Sequence, residues 1–63
     1  MRTIELIQTL LDDGGDSLET LMERFKVSAR TVRSHVHAAN QMLEDIALIR
    51  FSRKNNVYEL EVL

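Results

Sequence analysis

The chain of 63 residues has no cysteine, no tryptophan, only two glycines and three aromatic side chains. Without cysteine there is neither a disulfide framework nor a cysteine-built zinc knuckle, so a domain this small must rely on packed helices and sheet. A hydrophobic content of 44% is enough to form such a core. No apolar run approaches the roughly 18 residues of a membrane span, so no membrane partner is expected. Met1-Arg2-Thr3 leads directly into a helical pattern with no signal-peptide core, and a cytoplasmic location is expected. There is no glycine-rich phosphate loop, and no Ser/His/Asp, Cys/His or paired-carboxylate arrangement survives mapping onto the elements. The chain is therefore not expected to be an enzyme, to carry catalytic residues, or to need a cofactor or small-molecule ligand.

The net charge of −2 argues at first against a nucleic-acid partner. Its distribution argues the other way. Between Arg24 and Tyr58 lie seven of the eight basic residues against only Glu44 and Asp45, a net +5; the remainder sets Arg2 against eight acids, a net −7. Local potential, rather than net charge, attracts phosphates.

Hydrophobic spacing divides the chain. Ile4, Ile7, Leu10 and Leu11, widened by Leu6, predict a first helix near 3–11. Asp12-Asp13-Gly14-Gly15-Asp16 ends it, since glycines and short acids favour turns. A second helix near 18–25, capped by Ser17 or Asp16, buries Leu18, Leu21, Met22 and Phe25. A three-residue turn precedes a third helix near 29–45, N-capped by Ser28, with Val27 placed to staple against Val32. Val32, Val36, Ala39 and Leu43 form its core stripe, and Arg30, Ser34, His37 and Gln41 fall opposite, with Arg33 on the shoulder. The tail alternates as a hairpin, with strands near 48–52 and 57–62. A two-residue loop at Asn55-Asn56 would set Phe51 opposite Leu60 and Ile49 opposite Val62. The expected core is Ile7, Leu10, Leu21, Phe25, Val32, Val36, Leu43, Phe51 and Leu60.

Two short helices with a tight turn between them, the second opening on arginines, have the layout of a helix-turn-helix, whose second helix enters the DNA major groove. The fold class expected is α+β: a winged helix-turn-helix, three helices followed by a two-stranded antiparallel wing. Arg binds guanine O6 and N7 with two hydrogen bonds, and Ser34 or His37 can complete a base-edge contact. Arg53, Lys54 and Asn55 at the wing tip, 52–56, suit the phosphate backbone or the minor groove. Taken alone, each of these stretches is also what a solvated helix face or a polar turn looks like; it is their order that favours DNA. Two metal readings fail. Asp12, Asp16 and Glu23 occupy positions 1, 5 and 12 of a calcium loop, but Gly14 and Ser17 stand at two informative places. His35 and His37 lie about 200° apart on a helix and cannot share a tetrahedral ion; His35 is expected to pack and His37 to face outward.

The run Leu18-Glu19-Thr20-Leu21-Met22-Glu23-Arg24-Phe25-Lys26-Val27-Ser28-Ala29-Arg30-Thr31-Val32-Arg33 resembles the amino-terminal winged helices of bacterial BglG/Mga-type, phosphotransferase-regulated transcription regulators. In that family Val-Ser-x-Arg-Thr-Ile/Val-Arg opens the recognition helix, here Val27 to Arg33, and an Asn stands near its end, here Asn40. Val57-Tyr58-Glu59-Leu60 is similar to the closing Gly-Tyr-x-Leu strand. The wing turn departs from the family in lacking glycine, and Met42 stands where Leu is usual. The resemblance covers nearly the whole chain. It implies sequence-specific binding of double-stranded DNA, with Ser28, Arg30, Thr31, Arg33, Ser34, His37, Arg53, Lys54 and Asn55 as contacts and a dimer in a longer regulator of which residues 1–63 are the N-terminal module. Val27 to Val36 also resembles the helix-turn-helix of LuxR-type regulators, which end in a fourth helix rather than a β-rich tail.

The rival is a winged helix used for protein–protein contact, which the acidic balance would suit. The discriminator is spatial: Arg30, Arg33, Arg53 and Lys54 either share an exposed face or are scattered and paired with acids. RNA binding is the weakest reading, because Phe25, Phe51 and Tyr58 are all assigned to the core.

Overall fold

Short-range capping sets the starts of the second and third helices and the end of the first in this chain, all 63 residues of which are described by the computed structural model. Helix α1 covers Thr3–Asp13. The backbone N–H of Arg2 donates to Glu5 Oε1 at its start, and Gly14 closes it in the left-handed region at φ 77°, two residues later than the sequence predicts. Helix α2 covers Leu18–Phe25, and Ser17, not Asp16, is its cap: Ser17 Oγ accepts from Thr20 N–H at 3.1 Å. Lys26 turns the chain in the left-handed region at φ 57°. Helix α3 covers Ala29–Leu43, with Ser28 Oγ accepting from Thr31 N–H at 3.2 Å. It stops two residues before the predicted end, because Glu44 takes φ 45° and reverses the chain toward the hairpin.

Strands β1 (Ala47–Ser52) and β2 (Val57–Val62) pair antiparallel. Their register corrects the sequence expectation. Phe51 faces Tyr58 and Ile49 faces Leu60, so the loop has four residues, 53–56, rather than two. Only Asn56 has a positive φ, 58°, and its N–H donates to Ser52 C=O at 2.7 Å. A slip of two residues keeps every side chain on its original face, so the alternating pattern alone could not distinguish the two registers.

Two tethers outside the hairpin fix this pairing. Asp16, between α1 and α2, exchanges both backbone hydrogen bonds with Tyr58, at 3.0 and 2.8 Å. On the other edge of the sheet, Asn40 of α3 clamps Ile49: its Oδ1 accepts from Ile49 N–H at 2.7 Å, and its Nδ2 donates to Ile49 C=O at 3.1 Å. The hairpin is thereby tied to the helices from both sides.

The core lies where α1, α2 and the base of β1 meet α3. Leu6, Leu10, Leu21, Val32 and Ala39 are at most 1% exposed, with Ile7 and Ile49 buried around them. Phe25, Val27, Val36, Leu43 and Leu60 are half-buried against this cluster. Three apolar expectations are corrected. Ile4 and Leu11 lie at the exposed edges of the α1 stripe, which centres on Leu6, Ile7 and Leu10. Phe51 is 43% exposed, because Ile49 fills the last core position and Phe51, two residues nearer the tip, extends past it. No helix is long and apolar enough to cross a membrane.

Candidate nucleic-acid interface

The opening of α3 is held by local chemistry. The hydroxyls of Ser28 and Thr31 lie 3.1 Å apart at the cap, so both are engaged in starting the helix as well as standing at its surface. Arg30, Arg33, Ser34 and His37 are exposed, and Thr31 is half-buried. His35 takes the inner course: its Nδ1 lies 2.8 Å from Thr3 Oγ1, joining α3 to the first turn of α1. His37 faces solvent, and no three His, Cys, Asp or Glu side chains are gathered as a metal site.

Ion pairing sorts the cations. Arg24 pairs with Asp13 at 3.0 Å and Arg50 with Glu61 at 2.9 Å, and these are the only two salt bridges. Both are solvent-exposed pairs of the kind that contributes little to stability, about 0–1 kcal/mol. Arg30, Arg33, Arg53 and Lys54 make no salt bridge, although Glu19 lines the same depression as Arg33, and Glu59 and Glu61 the same one as Arg53 and Lys54.

Their placement is uneven. Arg33 faces the wing across a cleft of about 350 Å³, lined also by Leu18, Glu19, Phe51, Asn56 and Tyr58. Arg53 and Lys54 line a neighbouring surface of the hairpin with Arg50, Ser52, Glu59 and Glu61; Phe51 borders both. Arg30 lines neither depression. Asn55 is exposed in the wing loop, where its N–H donates to Ser52 Oγ at 3.3 Å.

The sequence reading missed the inner wall of the cleft. Phe51 and Tyr58 pack edge to face there, ring centres 5.2 Å apart and planes at 66°, an arrangement favoured by the quadrupoles of the rings. The signal for it was the pairing of Phe51 with Tyr58, legible only once the loop length is known.

One buried group lies apart from this face. Asp16 is 8% exposed and its Oδ2 has no hydrogen-bond partner. Burial pushes its carboxyl up from 3.8 to about 6, helped by a hydrogen bond and charge repulsion from Asp13 and opposed by Arg24.

Compared with known proteins, the chain matches no family model, no curated protein and no solved structure. The geometry of its own residues therefore carries the functional argument.

Proposed function

We propose that this winged helix-turn-helix binds double-stranded DNA sequence-specifically, as the DNA-reading module of a bacterial transcription regulator of the kind its α2–α3 sequence resembles. The observation that carries the reading is the state of its cations. Arg30 and Arg33 on the opening of α3 and Arg53 and Lys54 on the wing loop make no salt bridge, as is also true of Arg2 and Lys26, whereas Arg24 of α2 and Arg50 of β1 are paired. Unpaired cations on a recognition helix and an adjoining wing suit a polyanion whose counterions they displace. The first half of α3 enters the major groove, where at least one of Arg30 and Arg33 meets base edges. Arg53 and Lys54 touch phosphate, and a second copy supplies the second half-site. Met42, Ile46, Val62 and Leu63, all more than half exposed, provide apolar surface for such a pairing.

Salt titrations on a duplex selected from a random library, and on a scrambled one, test this reading. Replacing the base-reading arginine by Ala should cost about 1–3 kcal/mol on the selected duplex and relax preference at one base position. Arg53→Ala and Lys54→Ala should weaken binding to all duplexes alike and shallow the salt slope by about one unit per lost phosphate contact. If none of the four substitutions alters DNA binding, a protein-interaction role replaces this one.

A further inference from the structure

An exposed phenylalanine on the core side of a hairpin is costly unless something covers it. Phe51 is 43% exposed although it shares a strand face with the buried Ile49. Its ring is not free to fold inward: Tyr58 holds it edge to face, and the pairing of the two residues is fixed by the Asp16–Tyr58 bridge. Beside it stand Arg33, with no ion-pair partner, and Asn56 of the wing loop. The cleft thus offers a fixed apolar ring next to a cation that makes no salt bridge, with Glu19 also in its lining. A nucleic-acid strand presents the matching alternation, an apolar deoxyribose edge next to a phosphate.

We infer that Phe51 and Arg33 form a clamp on one DNA strand where it passes between the recognition helix and the wing, the ring on a deoxyribose and the guanidinium on the adjoining phosphate. This rests on the DNA-binding reading and refines it. Arg33, on the wing side of α3, holds the backbone, which leaves Arg30, outside the cleft, to read the bases. A thymine methyl in the major groove is the other apolar feature of a duplex. The wing position of Phe51, next to Asn56 rather than along the outer stripe of α3, favours the sugar.

The test uses the full chain and a duplex selected from a random library, with a scrambled duplex alongside. Phe51→Ala should weaken both duplexes by the same factor, about threefold to tenfold for loss of one partly buried aromatic contact, and leave the salt slope unchanged. Arg33→Ala should also weaken both equally but reduce the slope by about 0.9. Phe51→Lys provides a gain that misfolding cannot mimic: a cation at this place should tighten scrambled-duplex binding at low salt and steepen the slope by about 0.9. Replacing each thymine by deoxyuracil in turn should not change the effect of Phe51→Ala. The inference is overturned if Phe51→Lys leaves affinity and slope untouched, or if deoxyuracil at one position abolishes the Phe51→Ala effect, which would assign the ring to a thymine methyl. Absence of salt-dependent duplex binding by the unaltered chain would instead remove the DNA reading itself, and this clamp with it.

Discussion

The helical half of the molecule and its wing are stabilised in different ways. In the helices, local and global signals agree. Ser17 and Ser28 cap α2 and α3, Gly14 ends α1, and five side chains from all three helices are at most 1% exposed. In the hairpin, Ala47 and Ile49 are the only buried residues, and a two-stranded ribbon with so little buried surface is marginal by itself. Its conformation comes from outside, through Asp16 on one edge and Asn40 on the other. The helices form the fold; the wing is held in place by hydrogen bonds to them.

The strongest way to break that contrast is to remove a core residue. Leu21→Ala should cost about 2–5 kcal/mol, measured by chemical denaturation, and should loosen helices and wing together. A wing that stays protected from hydrogen exchange while the helices open would show the hairpin to be independent.

Titration of Asp16 comes next in size. Its proton is held more tightly in the folded chain than in the unfolded one, so the stability it confers is fully present below about pH 4. That stability is lost as pH rises through about 6. The loss should be on the order of 3 kcal/mol, since each tenfold difference in proton affinity between the two states is worth about 1.4 kcal/mol. Asp16→Asn keeps the shape and should flatten the unfolding free energy between pH 4 and pH 7. A variant retaining the full slope would trace it to another group.

Asn40→Ala should act on the wing alone. It leaves the N–H and C=O of Ile49 without their partner, at a cost of about 1–3 kcal/mol. Amide exchange should accelerate in 47–62 while α1 and α2 remain protected; equal acceleration everywhere would mean that the clamp serves the core.

The smallest effect expected is a gain. Lys26 sits at φ 57°, a conformation that glycine adopts without penalty. Lys26→Gly should stabilise the chain by up to about 1 kcal/mol, after offsetting the added entropy of the unfolded glycine. A loss on chemical denaturation would mean that the lysine side chain contributes more than its backbone strain costs.

The same contrast explains what the sequence reveals. The bounds of α2 and the Ser28 cap of α3 are legible because capping depends on residues within four positions of each other, while the α2 cap is narrowed only to Ser17 or Asp16. The end of α3 is not, since Glu44 and Asp45 give no local reason to leave the helix; the reversal serves the placement of β1. The hairpin register is illegible for a different reason. Asn55-Asn56 suits a two-residue loop, and the choice of four residues is fixed by hydrogen bonds from Asp16 and Asn40, distant in sequence. Of the candidate contacts, the exposure of Arg30, Arg33, Ser34 and His37 follows from helical periodicity. The cleft joining Arg33 to Phe51 depends on the register, and so lies beyond that reasoning.

The Asn40 clamp has a further consequence for the behaviour of the chain at high concentration. Each strand of the two-stranded sheet is an edge, and an open edge is a template on which a strand from another molecule can add. Ile49, in the middle of the β1 edge, already has both backbone groups occupied by the Asn40 amide. An incoming strand would have to displace a side chain of α3 before it could pair along the length of β1. A single amide therefore guards the β1 edge against strand addition.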